Sequence, residues 1–243
     1  MVPWLEPGAP FPDTRDALTD PDGLLAAGAD LSPDTLVRAY SSGIFPWYDA
    51  DYQPILWWSP APRCVFYPDQ IHVSRSLRRH VNQVPLTITL DSAFSSIMAL
   101  CAAPRGDGQG TWISSDMVNA YVNLHKLGYA HSLEVWQGDS IAGGIYGIQL
   151  GNIFFGESMV SPLPNGSKVA LAALQALAKS LDIQLIDAQV ENPHLRSMGA
   201  CMIDRATFSQ HLRQWIPAHP APAQWPKESW TWATLPADDK RPA

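Results

Sequence analysis

Residues 130–190 constrain this chain more than any other stretch. Residues 131–136, 141–149 and 153–158 are apolar runs, separated only by the short turns Gly138-Asp139 and Gly151-Asn152. Turns this tight join neighbouring antiparallel strands, so the spacing predicts a meander. Pro162 and Pro164 then stop strand pairing, because proline has no N–H to donate. Residues 167–181 place Leu171, Leu174, Leu177 and Leu181 on one helical face, and residues 183–190 read as a buried strand. Strands, then a helix, then a strand predict a mixed α/β or α+β sheet.

Upstream, residues 32–42 read as a helix with Ser32 as N-cap, Pro33 at the first position and Gly43 just past the end. The aromatic stretches Phe45-Pro46-Trp47-Tyr48 and Trp57-Trp58-Ser59-Pro60 are punctuated by proline, which predicts rigid loop or a few short strands. Residues 1–65 form a small N-terminal domain on this reading, and 66–243 the main domain. Within the main domain, residues 74–82, 92–101 and 116–127 read as helices and 85–90 as a strand. Residues 104–110 form a glycine-rich loop, and 216–236 wrap the surface, anchored by Trp225, Trp230 and Trp232.

Charge distribution matters more than its sum. The chain carries −7, yet residues 1–37 hold seven acids and one base, so the remainder is nearly neutral. It contains a basic run: Arg63, then Arg75, Arg78 and Arg79 beside His80. Either a polyanion site or a solvated basic face accounts for it. The 243 residues, 46% of them hydrophobic, suffice for a sizeable core, and no apolar stretch approaches the roughly 20 residues of a membrane helix. The first residues lack the basic region and apolar core of a secretory signal, and Cys64, Cys101 and Cys201 lie too far apart for a disulfide framework. Reduced thiols in a cytoplasmic protein without a membrane partner are the expectation.

Two features suggest chemistry. Asp187 and Gln189 are two apart on a strand, so they should share a face, and a buried carboxylate is costly unless paired or used. A structural hydrogen-bonded pair is the alternative. Glu157 ends a hydrophobic strand beside Gly156, where a backbone or ligand can approach closely; an acid satisfied by strand-end amides is the alternative. Ile145, Phe154, Phe155, Met159 and Ile186 form either an apolar pocket or ordinary core. The seven histidines show no metal-ligand spacing. There is no Gly-x-Ser-x-Gly, no Walker loop and no Gly-x-Gly-x-x-Gly. The expected reaction uses no cofactor, no metal and no covalent intermediate, and its substrate arrives activated.

Seven segments, in order, resemble the leucyl/phenylalanyl-tRNA–protein transferase family. They are Gly43-Ile44-Phe45-Pro46-Trp47, Trp57-Trp58-Ser59-Pro60-Ala61-Pro62-Arg63, Gly110-Thr111-Trp112-Ile113, Ala130-His131-Ser132-Leu133-Glu134-Val135-Trp136, Gly143-Gly144-Ile145-Tyr146-Gly147, Phe155-Gly156-Glu157-Ser158-Met159, and Asp187-Ala188-Gln189 followed by His194-Leu195-Arg196-Ser197-Met198-Gly199-Ala200. The resemblance implies a GNAT-like acyltransferase domain behind a small N-terminal domain. It implies transfer of Leu or Phe, less well Met, from aminoacyl-tRNA to proteins beginning with Arg or Lys, marking them for degradation by the N-end rule. By the same resemblance Asp187 and Gln189 match a catalytic pair and Glu157 a supporting acid. Trp47, Trp112 and Asn192 match positions around the tRNA 3′ end, and Phe154, Met159 and Ile186 match the apolar pocket. Ala188 stands where the family usually has Cys, Val160 replaces a usual Phe, and Ala178 replaces a Phe, which widens the expected pocket.

The residues suit that chemistry. An α-amine with a pKa of about 7.7–8.0 must lose a proton before it attacks the ester. Gln189 can align it by accepting a hydrogen bond, while Asp187 polarises the amide or takes the proton. Glu157 or Glu191 can offer a negative site to a basic side chain, and Arg75, Arg78 and Arg79 can meet tRNA phosphates. An acyl-CoA N-acyltransferase of the same fold is a weaker reading, because residues 161–167 lack the pattern Gln/Arg-x-x-Gly-x-Gly/Ala. A non-catalytic binding module would leave the buried Asp187–Gln189 pair without a purpose. An arginyl-tRNA–protein transferase would need an N-terminal cysteine cluster.

Overall fold

The computed structural model describes residues 2–104 and 113–236, and it divides the strands between two sheets. The first is small. It contains β1 (Trp4–Leu5), β2 (Leu24–Gly28), β3 (Phe45–Pro46) and β4 (Leu56–Trp58) in the order β1-β2-β4-β3, with helix α1 (Pro33–Ser41) between β2 and β3. The Ser32 side chain caps α1 by accepting from the Thr35 N–H. Leu36, Ala39 and Tyr40 fill its buried face. The proline-punctuated stretch is therefore short strand, as Trp57 illustrates: its indole is fully buried and donates to the Gly28 carbonyl at 2.9 Å.

The second sheet begins at β5 (Arg63–Phe66), so the two sheets part between residues 58 and 63. In chain order it continues with α2 (Arg75–Gln83), β6 (Thr87–Leu90), α3 (Phe94–Ala102), α4 (Ser115–Lys126), β7 (Ala130–Gln137), β8 (Ser140–Leu150), β9 (Ile153–Val160), α5 (Gly166–Leu177), β10 (Leu185–Gln189), α6 (Pro193–Ser197), β11 (Cys201–Ile203), α7 (Arg205–Trp215) and β12 (Ser229–Thr231). The spatial order is β11-β5-β10-β9-β8-β7-β6-β12. The meander β7–β8–β9 has the turns its spacing predicts. The proline-rich tail does more than wrap the surface: Trp230 lies in β12, which extends the sheet by pairing with β6. The expected α+β class holds.

Strand alternation fills two cores. Tyr146, Ile148, Ile153, Phe155 and Leu185 face α1, α3 and α4. Leu133, Val135, Ile145, Phe154 and Ile186 face α2 and α5. Helix α5 sits very close to the sheet. A Cβ on Gly143 would come within 2.2 Å of the Gly166 carbonyl carbon, so two glycines are needed where helix and strand cross. That close approach lies here and not at Gly156, where a Cβ would make ordinary contacts, the nearest at 3.6 Å from the Asp187 carbonyl.

One pairing shapes everything that follows. β9 and β10 run parallel, joined by α5, and their register ends at Asp187 opposite Phe155. Beyond that point β9 continues alongside β8 to Val160, whereas β10 slips register against β5. The two strands separate, and a cavity opens between them.

Candidate active site

The cavity encloses about 1020 Å³. Phe66, Ile145, Met159, Leu171 and Ile186 give it an apolar wall. Glu157, Asp187 and Gln189 lie at its base, and Phe45 and Trp47 reach it from the small sheet. A largely apolar cleft with a few converging polar groups is the usual construction of a small-molecule site.

Glu157 is the most perturbed group there. It is 8% exposed. Burial, the dominant cause, pushes its pKa up to about 7, and hydrogen bonds from tyrosine hydroxyls and Gln189 pull it partly back. Gln189 Nε2 donates to Glu157 Oε1 at 2.7 Å, and the Tyr121 hydroxyl donates to Oε2 at 3.0 Å. Tyr121 in turn meets the Tyr40 hydroxyl at 2.5 Å. The chain Tyr40–Tyr121–Glu157–Gln189 thus runs from α1 through α4 to the middle of β9 and the end of β10. Burial holds both phenols well above their usual range, so they act as neutral donors. Because Glu157 titrates near neutrality, it can take up or release a proton at working pH.

Asp187 is differently placed from the expectation. It is fully buried and forms a two-pronged ion pair with Arg63, with Nε to Oδ1 at 2.8 Å and Nη2 to Oδ2 at 2.7 Å. Its side chain does not meet the Gln189 amide. The same-face argument fails because β10 is bulged between Asp187 and Gln189, and Gln189 has φ +61°. What joins them is the Gln189 backbone N–H, which donates to Asp187 Oδ1 at 2.9 Å. Arg63, counted above with the basic run, is 1% exposed and unavailable to a polyanion.

The other expected residues divide. Ile145, Met159 and Ile186 line the cavity. Phe154 does not: it lies on the same face as Ile145 and Ile186, but its ring packs against Trp225, with centroids 5.7 Å apart. Ala178 is also distant from the cavity lining, at the C-terminal end of α5 in the core, so the missing Phe there does not widen the pocket. Val160 and Ala188 do face it. Trp47 stands at the rim, 46% exposed, its ring tilted against Trp58 at 5.6 Å. Asn192 is at the rim too, with its carbonyl oxygen capping α6 through the Leu195 N–H at 2.9 Å. Pro193 occupies the first position of that helix. Glu191 lines the cavity but is ion-paired with Arg196. Trp112 and most of the expected 104–110 loop lie outside the described residues.

Arg75 and Arg79 are exposed on α2 and Arg78 is half-buried, while Leu77 and Val81 anchor the opposite face. No ion pair engages the three arginines among the described residues. No helix among the described residues is long and apolar enough to cross a membrane. Sequence reasoning missed Tyr40, Tyr121 and the clamping role of Arg63. Nothing in the local pattern distinguished those two tyrosines from ordinary core residues on helix faces.

Fold and cavity together define an α+β protein with a buried, titratable carboxyl in a cleft at the parting of two parallel strands. A family profile described as leucyl/phenylalanyl-tRNA protein transferase matches residues 65–213, and one for the N-terminal domain of the same transferase matches residues 29–61. A leucyl/phenylalanyl-tRNA–protein transferase of Alcanivorax borkumensis is 67% identical over 98% of both chains. Those of Aromatoleum aromaticum and Cellvibrio japonicus are 50% identical (93% of this chain, 94% of that one) and 51% identical (87% and 90%). The chain belongs to the leucyl/phenylalanyl-tRNA–protein transferase family.

Proposed function

We propose that this chain transfers Leu or Phe, and less readily Met, from aminoacyl-tRNA to the α-amino group of proteins that begin with Arg or Lys. The product carries a new N-terminal residue that marks it for degradation, and the reaction takes place in the cytoplasm. The observation that carries this reading is the junction of the apolar wall Ile145–Met159–Ile186 with Glu157, in a cavity large enough for an aminoacyl group and a peptide end.

The reaction needs an amine without its proton beside an ester carbonyl. Glu157, with a pKa of about 7, is close to matched with an α-ammonium of about 7.7–8.0. On this reading Glu157, rather than Asp187, receives the amine proton. With Glu157 ionised, the Gln189 NH2 points to it, which leaves the Gln189 carbonyl oxygen to accept from the amine and align it. The amine nitrogen then bonds to the ester carbon, the bond to the ribose oxygen breaks, and that oxygen leaves as a hydroxyl by taking the second proton that the nitrogen gives up. Orientation supplies much of the gain, since holding both reactants in place is worth several kcal/mol (about 7–11 at best).

The apolar wall takes the donor side chain. Such walls separate similar residues by only about 1–3 kcal/mol, which fits acceptance of Leu, Phe and Met together. Trp47 and Asn192 at the rim take the tRNA 3′ end, with Trp47 offering an exposed face on which a base can stack; Trp112, matched to the same role by resemblance, lies outside the described residues. Arg75, Arg78 and Arg79 take the phosphates. A GNAT-like domain behind a small N-terminal one fits the parallel β9–α5–β10 crossover and the separation of its strands; because β5 (Arg63–Phe66) belongs to the large sheet, the boundary falls before Arg63 and not after residue 65.

The test mixes purified protein with radiolabelled Leu-tRNA and peptides beginning with Arg, Lys or Ala. Label should enter the first two peptides only. Retention of tRNA without transfer to any peptide would replace this reading with a binding module.

A further inference from the structure

The Arg63–Asp187 pair is more elaborate than burial of one acid requires. The Arg63 guanidinium is wedged between two rings, 4.9 Å from the Phe45 centroid and 4.7 Å from that of Phe208. Phe45 belongs to the small sheet and lines the cavity, while Phe208 belongs to α7. The two aromatic faces fix the plane of the guanidinium, and the two-pronged contact then fixes the plane of the carboxylate. Arg63 Nη1 has no hydrogen-bond partner among the described residues, although it is buried.

What that geometry controls is the next link. Gln189 is not glycine, yet it holds φ +61°, a conformation that costs a side-chain-bearing residue on the order of 1 kcal/mol or more. Its N–H is held by Asp187 Oδ1, the same oxygen that receives Arg63 Nε. Without that fixed acceptor the chain would relax toward ordinary extended backbone. The Gln189 backbone sets where its amide points, so a change of conformation there would re-aim the amide and loosen its contact with Glu157. The bulge at Asp187/Gln189 is thus where the clamp is converted into direction.

We propose that Arg63 is a positioning residue for transfer: acting through Asp187, it locks the Gln189 backbone in its left-handed turn and so aims the Gln189 amide at Glu157 and the cavity. The kinetic part of this inference rests on the transferase reading above; the geometric part does not. Arg63 touches no reacting atom. Because Phe45 holds one face of it, the small sheet contributes to aiming a side chain of the large one.

Three variants test it: Arg63→Lys, Arg63→Met, and Arg63→Met combined with Asp187→Asn. The first keeps the charge but loses the fork, and the last removes both charges, so it keeps the protein folded if Arg63→Met alone does not. Each is measured for melting temperature, for kcat and KM with Phe-tRNA and an Arg-initiated peptide, and for amide hydrogen exchange across residues 185–192. Arg63→Lys and the double variant should lose tenfold or more in kcat, with the peptide KM changed less than threefold. Exchange at the Gln189 amide should speed up tenfold or more while β8 and β9 keep their protection. A purely structural pair would lower the melting temperature alone, leaving kcat within twofold and Gln189 exchange unchanged, and that result overturns the proposal. If the unmodified protein transfers nothing, the transferase reading fails, and the exchange measurement still decides whether Arg63 positions Gln189.

Discussion

Replacing Glu157 by glutamine should make the protein more stable at alkaline pH and less active at every pH. The magnitude follows from the burial of one carboxyl. Its pKa rises from the 4.5 of a free side chain to about 7 in the folded protein, chiefly through desolvation. An acid with a raised folded pKa holds its proton more tightly in the native state. Its contribution to stability is therefore full below about pH 4.5 and is lost as pH climbs through 7. At 1.36 kcal/mol per pH unit the loss is about 3 kcal/mol. Glutamine has the same shape and no charge, so it escapes this loss. It still accepts from Tyr121 or Gln189 through its single oxygen, though not from both as the carboxylate does. Urea denaturation at pH 5 and pH 8 should then show wild type losing up to about 3 kcal/mol between the two, and Glu157→Gln losing much less. At pH 8 the variant should melt higher by roughly 6–12 °C on the scale of a chain this size, less whatever the lost hydrogen bond costs. Transfer should fall by about 10²–10⁴-fold, the usual worth of a positioned base. An equal difference in stability between the two proteins at both pH values would refute the argument. So would a Glu157→Gln enzyme of near-normal rate, because then the buried acid carries no proton in the reaction.

Three further outcomes follow from the geometry. Replacing Arg75, Arg78 and Arg79 together by alanine should weaken every tRNA alike and flatten the plot of log affinity against log salt by about 2–3, with an unchanged melting temperature because Leu77 and Val81 still anchor α2; filter binding across a salt series decides it. Gly143→Ala should destabilise by about 3 kcal/mol, since its Cβ would stand 2.2 Å from a backbone carbon of α5 and neither backbone can yield, which overpacking values support; a denaturation midpoint close to that of wild type would count against the close crossing. Trp47→Ala should weaken donor binding by about 1–3 kcal/mol, seen as a raised KM for Phe-tRNA with the peptide KM unaffected.

What could be read from the sequence was local. The helix starting at Ser32 and the meander with turns at Gly138-Asp139 and Gly151-Asn152 appear where their short-range chemistry put them. Caps, tight turns and period-two patterns act over a few residues, so they leave a visible trace. Glu157 was legible as an acid in an apolar strand, although β9 runs on past it to Val160, and its partners are Tyr121 and Gln189 and not strand-end amides. The pairing of Asp187 was not, because its partner Arg63 lies 124 positions away and nothing near Arg63 distinguishes it from the basic run. Neither was the Tyr40–Tyr121 contact, which spans 81 positions. The bulge at Gln189 defeated the alternation rule for a related reason: a register slip is decided by the neighbouring strand and leaves no period in its own sequence. Phe154 fell on the Ile186 side of the sheet as alternation requires, yet which end of that side opens into a cavity depends on where β9 and β10 part.

The two cores on opposite faces of the large sheet both reach this opening, and they contribute different things to it. Ile145, Leu171 and Ile186 come from the core beneath α5, whereas Tyr40 and Tyr121 come from the core beneath α1 and α4. Mutational drift in the first core would alter which donor side chain fits and leave the acid undisturbed. Drift in the second would mainly retune the acid, although Phe45 and Cys101 of that core also line the cavity. Lineages could thus diverge in substrate taste and in working pH along separate routes, and an engineer could pursue either property by repacking one side of a single sheet.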